Sequence, residues 1–337
     1  MKQQLSLPAI TKSPSISIVI EWDNPVFSDL SRAHTMLARL GAQLSALPRP
    51  VTPPPELVLV CNPETAEPGW VENEARQHLG TAVNMVTLEV IAGKGLRYYE
   101  MKNIGARHTS GDVIIFIDSD VIPEDAWLES LVSAICRENV AVVGGETYVE
   151  THTFFQRAFA LLWPFPHRTD EITFTSTNRF FANNVAFRKE VFLKHPFPDL
   201  PCYRMQSYIL GQILLAEGYK IYLYTAARTE HPAINGFKHF IVRALCVGHD
   251  RLFYARYQSG SLSGNKKRTF VNLCHKVIEK LEHIWMRKDK AGTILEIALA
   301  YTIAIAYYGI AILGMLITYI NAEWFQRHFI NITHEPS

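Results

Sequence analysis

Two carboxylates one residue apart, Asp118 and Asp120, directly follow a run of five apolar residues, Val113 to Ile117. Like charges this close disfavour each other's ionisation unless a cation lies between them. Carboxylate oxygens are the ligands that Mg²⁺ and Mn²⁺ prefer, and these ions commonly also bind the phosphates of a substrate. The pattern therefore predicts a divalent-cation site at the end of a buried strand. The alternative is a helix N-cap beside a solvated acid.

The segments before these carboxylates alternate between short apolar runs and stretches with helical spacing. Continuous apolar strands alternating with helices are typical of an α/β fold with a mostly parallel sheet covered on both faces. Ligands of such sheets bind at the carboxyl ends of the strands, which is where the pattern places Asp118 and Asp120. The predicted strands are 16–20, 57–60, 85–91, 113–117 and 140–145, and the predicted helices are 28–44, 70–79, 96–109 and 123–139.

The pattern is less regular beyond residue 150. Residues 154–166 are apolar and aromatic, and residues 176–192 mix strand and helix signals. Residues 207–224 predict a helix, a glycine stop and a further strand. The formal net charge of +1 gives no sign of nucleic-acid binding. The five scattered cysteines, without a CxxC pair, indicate reduced thiols rather than a disulfide framework or a zinc site.

An uncharged segment of 24 residues runs from Ile297 to Ile320. A helix needs about 20 apolar residues to cross a bilayer, so we predict a transmembrane helix over 295–320. The alternative is a buried core helix. Basic residues that flank a span stay in the cytoplasm, and Arg287, Lys288 and Lys290 precede this one. We therefore expect a single-pass membrane protein with its main domain in the cytosol, as in a bacterial inner membrane.

The segment before the predicted span has an amphipathic pattern. Between Phe270 and Trp285 the apolar residues fall on one helical face, and most of the charged residues lie elsewhere. A basic amphipathic helix at this place is typical of the membrane interface, and we predict one over 265–290. An ordinary surface helix is an equally open alternative. Residues 1–14 are interpreted as a leader and residues 321–337 as a tail.

The longest specific pattern is "KNIGARHTSGDVIIFIDSDVIPEDAW", residues 102–127. It is similar to the "RNxGxxxAxGDxIxFLDxDxxPxxxxL" pattern of the family 2 glycosyltransferases of GT-A fold, which transfer a sugar from a nucleotide-sugar donor. The resemblance covers residues 16–232. It implies a Rossmann-like GT-A domain over 15–262, with a nucleotide-binding half, 15–145, and an acceptor half, 146–262. It also rests on "ISIVIEWDN" (16–24), "NNVAFRKEVF" (183–192) and "LAEGYKIYLYTAARTEHP" (215–232).

The resemblance implies a metal site that holds Mg²⁺ or Mn²⁺. By position, Asp118 would meet the ribose of the donor or the metal. Asp120 would ligate the metal that bridges the diphosphate. His231 matches a family histidine near the phosphates that in some members completes the metal shell, and the alternative is a surface histidine before a proline.

The resemblance also implies residues that bind the nucleotide sugar. Glu21 and Asn24 would line the nucleotide, and Lys102 and Asn103 match a basic–Asn pair ahead of the two acids. Lys102 would offset phosphate charge. The first departure from the family pattern is that Cys61 and Asn62 stand where the family has two acids, the first of which helps to hold the nucleoside base. The amide of Asn62 could still bond a base edge.

A second departure concerns the catalytic base. The acid pair that supplies the base in the family aligns with Gln206–Ser207, and neither side chain removes a proton readily at neutral pH. Glu146 and Asp199 are the replacement candidates, with Asp170–Glu171 as a third. A solvated loop acid is the alternative for each of them.

The pattern as a whole predicts a metal-assisted glycosyltransferase. Its expected donor is a UDP- or GDP-sugar, and its expected acceptor is a lipid-linked molecule or a glycan at the cytosolic face of the membrane. The rival hypothesis is a degenerate member that binds a nucleotide or a partner without turnover. A phosphatase of the HAD type is less favoured, because its downstream lysine and acidic motif are not found and the two acids fall on the fourth strand.

Overall fold

The computed structural model describes residues 14–24, 29–47, 53–165, 167–234, 236–259 and 266–330. Within these ranges nine strands form one sheet, which confirms the predicted α/β fold. The strands are β1 (Ile16–Glu21), β2 (Glu56–Cys61), β3 (Thr87–Ala92), β4 (Val113–Asp118), β5 (Ile122–Pro123), β6 (Val142–Val149), β7 (Phe174–Thr177), β8 (Asn184–Arg188) and β9 (Ile221–His231). Their order in the sheet is β3-β2-β1-β4-β8-β6-β9-β5, with β7 beside β9.

The first half of the sheet is parallel. Strand β1 pairs with β2 and β4, and β2 pairs with β3. Every residue of β1 and of β4 is buried, as expected for strands covered on both faces. The register aligns Glu21 with Asp118 at the carboxyl ends of β1 and β4. The parallel pairing therefore places an acid of the first strand beside the first of the two spaced acids.

The second half of the sheet is mixed. Strand β8 lies antiparallel between β4 and β6, and β9 pairs in parallel with β6 but antiparallel with β5 and β7. The helix predicted over 123–139 is shorter than expected. Ile122–Pro123 pairs with β9 as a strand, and Ala126 has a left-handed backbone with φ of 60°, so the helix begins only at Trp127.

Helices connect the strands and cover the sheet. The three predicted helices of the first hundred residues are confirmed to within two residues at each end. The helices are α1 (Leu30–Ala46), α2 (Pro68–Leu79), α3 (Tyr98–His108), α4 (Trp127–Ile135), α5 (Phe154–Leu162), α6 (Lys189–Lys194), α7 (Gln206–Ala216), α8 (Gly236–Ser259), α9 (Lys266–Met286), α10 (Ile294–Ile320) and α11 (Ala322–Phe325).

Helix α10 packs on α8 at a close crossing made by two glycines. A Cβ atom at Gly248 would lie 1.8 Å from the carbonyl oxygen of Ala311, and one at Gly314 would lie 2.1 Å from the carbonyl oxygen of Leu245. Real Cβ atoms do not approach backbone this closely, so the two helices meet backbone to backbone. The crossing fixes the apolar helix to the rest of the domain.

Gly314→Leu is expected to lower the free energy of unfolding by about 1–3 kcal/mol, the usual cost of forcing atoms into a packed site. Chemical unfolding followed by circular dichroism measures it. Gly309→Leu in the same helix is the matched control, because nothing lies within 4 Å of a Cβ at that position. Equal losses in the two variants would contradict the close crossing.

Within the described ranges, Ile294–Ile320 is the one helix long and apolar enough to cross a membrane, a test that a buried helix of a soluble protein also passes. Of its most apolar window, 44% is buried. The other side exposes large apolar residues, among them Ile305, Leu313 and Ile320. The helix is thus neither fully buried nor detached from the domain. Residues 1–13 of the predicted leader, 331–337 of the tail and 260–265 at the domain boundary lie outside the described residues.

Candidate active site

Four carboxyl groups come together at the carboxyl ends of β1 and β4. Glu21 and Asp118 are aligned neighbours in the sheet, and Asp23 and Asp120 follow each of them by two residues. All four are buried. Burial raises the pKa of Asp23 to about 7. Burial also raises the pKa of Glu21 well above its ordinary value, and the negative charge of Asp118 is the second cause.

Helix α3 supplies the partners of Asp118. The ammonium Nζ of Lys102 lies 2.7 Å from Asp118 Oδ1, and the hydroxyl of Tyr98 donates to both carboxylate oxygens at 2.7 and 2.9 Å. Lys102 is completely buried. Burial raises the pKa of Asp118, but Lys102 and the other partners outweigh it and leave the pKa below its ordinary value. Asp118 is therefore a fixed, ionised carboxylate.

Asp120 is held more loosely. The side-chain amide of Asn24 donates to Glu21 at 2.6 Å and to Asp120 at 3.2 Å. Burial, followed by the charge of Asp118, raises the pKa of Asp120 to about 6. Asn24, in the loop that follows β1, thus links two of the four carboxyl groups. The nucleotide-lining role of Glu21 and Asn24 stays a prediction.

The donor set suits a divalent cation. It consists of carboxylate oxygens, the ligands of Mg²⁺ and Mn²⁺, and Lys102 is the one ammonium in contact with them among the described residues. Burial is the largest cause that raises the pKa values of Glu21 and Asp120, and the negative charge of Asp118 is the second. Asp118 and Asp120 are the residues that would hold the cation.

His231 is the last residue of β9. Its Nδ1 lies 2.6 Å from the carbonyl oxygen of Pro232, and burial, followed by the charge of Arg243, lowers its pKa to about 3. The ring is therefore neutral, the form that ligates metals. Among the described residues, however, the groups whose ligand atoms already converge are elsewhere, at His34–Glu74–His78 and Glu150–His152–Glu230. Ligation by His231 stays a prediction.

Asn62 and Asn103, the other two asparagines predicted to bind the nucleotide, differ in whether their side-chain amides already have hydrogen-bond partners. Asn62 is completely buried, accepts from the backbone N–H of Glu64 at 3.1 Å, and keeps its Nδ2 without a partner in the described chain. Contact of Asn62 with a base edge stays a prediction. Asn103 instead bonds the backbone of Phe197 through both ends of its amide, at 2.8 and 3.0 Å. Asn103 thus has a structural contact, and its contact with the nucleotide stays a prediction.

The candidate bases are both held in ion pairs. Glu146 Oε2 lies 3.0 Å from Arg228 Nε, on β6 and β9, and burial raises the pKa of Glu146 to about 7. The side chain of Asp199 is 78% exposed and pairs with Arg97. No contact joins either acid to the carboxyl cluster among the described residues. The predicted catalytic role of Glu146 and Asp199 gains no geometric support.

Gln206 and Ser207 lie in the first turn of α7, close to the carboxyl cluster. Gln206 Nε2 donates to the carbonyl oxygen of Cys202 at 2.9 Å. Ser207 Oγ accepts from the hydroxyl of Tyr99 at 3.2 Å, and Tyr99 adjoins the Tyr98 that bonds Asp118. The place where the family has its acid pair therefore contacts α3, the helix that carries Tyr98, and it holds an amide and a hydroxyl.

Besides Asp23, three residues of the site have no counterpart among the sequence predictions. Tyr98 shares a helical face with Lys102 at i, i+4 spacing, a signal that could have identified it. The guanidinium of Arg204 lies over the Tyr98 ring, 3.7 Å from its centroid. Arg32 donates to the carbonyl oxygen of Asp120 at 3.0 Å and pairs with Glu150 at 2.8 Å. Nothing local in the sequence marks either arginine.

Residues 89–195, which include α3 and the two spaced acids, match glycosyl transferase family 2. The structure is similar to that of a mannosyltransferase from Pyrobaculum calidifontis in complex with GDP-Man and Mn²⁺, with a TM-score of 0.52 and 16% sequence identity. The alignment covers 91% of this chain and 88% of that chain. None of the curated proteins matches the sequence.

The fold is thus that of a GT-A transferase, an α/β sheet of this order with paired acids at a strand end, as the sequence pattern predicted. Within that fold, residues 89–195 are the segment similar to glycosyl transferase family 2. The resemblance found in residues 102–127 is thereby confirmed.

Proposed function

We propose that the protein transfers a sugar from a nucleotide-sugar donor with the help of Mg²⁺ or Mn²⁺. The observation that carries the proposal is the group of four buried carboxyl groups within and beside the family-matched segment. A cation and a diphosphate together would satisfy this site electrostatically. GDP- and UDP-sugars are the donor candidates, and GDP-mannose comes first because the similar structure holds it with Mn²⁺.

The residues of the site have different roles in the proposed transfer. When bound, the cation stabilises the negative charge that develops on the leaving diphosphate. Lys102 and Tyr98 keep Asp118 ionised and in a fixed orientation. Asn24 steadies the more weakly held Asp120. The pair of carboxylates is thus arranged before the donor arrives, so that little reorganisation accompanies the transfer.

We also propose that the protein acts at a membrane surface. Helix α10 keeps an uncovered apolar side, and basic residues lie in the segment between α9 and α10. Exposed apolar residues continue on α9, at Ile278, Trp285 and Met286. This supports an interfacial α9 and a membrane-embedded α10, with the domain on the cytosolic side and a lipid-linked or glycan acceptor.

A binding module without turnover is the second candidate function. The amide and hydroxyl of Gln206 and Ser207, in place of an acid pair, favour it. In that case the protein would hold a nucleotide or a partner and release it unchanged.

The test is calorimetric binding of GDP and UDP to the full chain in detergent, with and without Mn²⁺, followed by hydrolysis of the matching nucleotide sugars. Metal-dependent binding with slow donor hydrolysis is the expected result. Binding without hydrolysis or transfer would favour the binding module. Absence of metal-dependent binding would show that the acid pair is structural and would overturn the proposal.

A further inference from the structure

Two imidazoles and one carboxylate meet between α1 and α2, outside the carboxyl cluster. Glu74 and His78 are one turn apart on α2, at the i, i+4 spacing that places two side chains on one helical face. His34, on α1 and 40 positions before Glu74 in the sequence, meets them there. The ligand atoms of the three side chains all lie within 4.8 Å of one another. The two helices thus bring three metal-ligating groups to one place.

The distances within this group are close to those around a bound metal ion. Nε2 of His34 lies 2.5 Å from Oε2 of Glu74, and Nε2 of His78 lies 3.7 Å from the same oxygen. A tetrahedral ion with bonds of about 2.0–2.1 Å holds its ligand atoms about 3.3 Å apart. The observed distances lie on either side of that value, so movements of about 1 Å or less would form the coordination shell.

The packing of the two helices holds the histidines in place. The rings of His34 and His78 are stacked, with 3.7 Å between their centroids and 11° between their planes. Nearby, a Cβ atom at Gly41 of α1 would lie 2.4 Å from the carbonyl oxygen of Leu79, the residue after His78. The helices therefore approach each other backbone to backbone beside the group, which fixes the separation of its side chains.

The carboxylate of this group has no competing cation from the chain. Among the described residues, the ion-pair partners of Glu74 are the two histidines alone, and neither a lysine nor an arginine contacts it. The other convergent group, Glu150–His152–Glu230, differs in this respect. Arg32 already pairs with both of its glutamates, at 2.8 and 3.4 Å. A metal ion would have to displace a guanidinium there, but not at Glu74.

Solvent can reach the group between α1 and α2. The side chains of His34, Glu74 and His78 are 28%, 17% and 25% exposed. An ion can therefore enter from solution, and a water molecule can complete its shell. Partial burial at the same time limits the freedom of the three side chains, so less order has to be imposed when the ion binds.

We propose that His34, Glu74 and His78 form a Zn²⁺ site that joins α1 to α2. Two imidazoles and a carboxylate are ligands that suit Zn²⁺, and three protein ligands leave the fourth tetrahedral position to water. The carboxyl cluster at β1 and β4 offers oxygen ligands only, which suit Mg²⁺ and Mn²⁺. The two sites differ in chemistry, and the Zn²⁺ site does not depend on the proposed sugar transfer.

Helix α1 connects the Zn²⁺ site with the carboxyl cluster. Arg32, two residues before His34, donates through Nε to the carbonyl oxygen of Asp120 at 3.0 Å. An ion that ties α1 to α2 would restrain the helix that supports Asp120. The expected effect of Zn²⁺ is therefore a more stable nucleotide-binding half, with no part in the transfer itself.

The first test measures Zn²⁺ affinity by competition with a chromophoric chelator, using the metal-free full chain in detergent. Asp120→Asn is the background, because it weakens cation binding at the carboxyl cluster. One Zn²⁺ per chain is expected. Adding His78→Gln should lower the affinity at least about 100-fold, since even the loss of an outer-shell partner costs about 10- to 100-fold.

His108→Gln is the matched control for this measurement. His108 forms an exposed pair with Glu89, without a second histidine, and its replacement should leave the Zn²⁺ affinity unchanged. An affinity that His78→Gln does not alter would overturn the inference. So would the absence of stoichiometric Zn²⁺ binding in the Asp120→Asn background.

The second test uses Co²⁺ as a spectroscopic probe, because it accepts the same ligands as Zn²⁺. Tetrahedral Co²⁺ with nitrogen ligands absorbs strongly in the visible range, whereas octahedral Co²⁺ with oxygen ligands absorbs weakly. Strong bands are expected in the wild-type protein and in Asp120→Asn, and their loss is expected in His34→Gln. Weak bands alone in the wild-type protein would contradict a tetrahedral histidine site.

The third test asks whether the ion joins the two helices. Zn²⁺ should slow amide hydrogen exchange in α1 and α2 of the wild-type protein and raise its melting temperature, with neither effect in His34→Gln. Glutamine keeps a side-chain hydrogen bond, so the metal-free variant should melt close to the wild type. Glu74→Gln is the second variant if His34→Gln does not fold. Equal responses to Zn²⁺ in wild type and variant, or none in the wild type, would reduce the group to a hydrogen-bonded contact and overturn the inference.

Discussion

Asp120→Asn is expected to remove the Mn²⁺-dependent binding of nucleotide and to lower transfer by at least about 1,000-fold, because the variant loses a charged ligand of the cation. The same change should not destabilise the metal-free protein. A carboxyl group whose pKa rises from 3.8 to about 6 on folding costs stability on the order of 3 kcal/mol at neutral pH. The loss of stability appears as the pH rises from about 4 to about 6, where Asp120 would ionise more readily in the unfolded chain than in the folded one. The asparagine of the variant carries no charge and therefore avoids this loss.

Thermal unfolding with and without Mn²⁺ tests both parts. The wild-type protein should gain stability from Mn²⁺, whereas Asp120→Asn should start at an equal or higher melting temperature and gain nothing. Asp125→Asn, an exposed acid five residues further along the chain, is the matched control and should retain the Mn²⁺ response. A retained Mn²⁺ response in Asp120→Asn would remove Asp120 from the cation site.

Lys102→Met is expected to lower the free energy of unfolding by about 3–5 kcal/mol. Lys102 is fully buried against Asp118, and removing one partner of a buried ion pair leaves the other charge uncompensated. Urea unfolding of the detergent-solubilised chain measures the loss.

Lys94→Met is the control for this variant, because Lys94 pairs with Glu64 at 3.1 Å with its side chain 74% exposed. Exposed pairs contribute about 0–1 kcal/mol. Adding Asp118→Asn to Lys102→Met should recover much of the loss, since the uncompensated charge is then absent as well. If the double variant were as unstable as the sum of the single changes, the two side chains would not be acting as a pair.

The strand that carries the acids could be predicted from local pattern alone. Five apolar residues before Asp118 can be buried on both faces only in the interior of a covered sheet, and the chain order of strands and helices makes that sheet parallel near β4. Parallel strands end at one edge, so the location of Asp118 and Asp120 followed without any knowledge of their neighbours. The family pattern in residues 102–127 then indicated the chemistry.

The partners of the site residues could not be predicted in this way. Arg32 reaches Glu230 across 198 positions of sequence, and Arg228 reaches Glu146 across 82. Such contacts depend on the order of the strands in the sheet, in which β9 lies beside β6. The local periodicity of the sequence does not predict that order. Glu146 was a reasonable candidate base because it follows an apolar strand, but only the tertiary structure shows that Arg228 holds it.

The backbone contact of α8 and α10 has a consequence for how the proposed enzyme would meet its acceptor. A helix joined to the domain without intervening side chains cannot swing independently, so a bilayer that holds α10 would also hold the active site at a constant height and tilt. The search for an acceptor would then take place in two dimensions. Turnover would follow the mole fraction of the lipid in the membrane, and diluting the lipid with inert detergent or phospholipid would slow the reaction at constant bulk concentration.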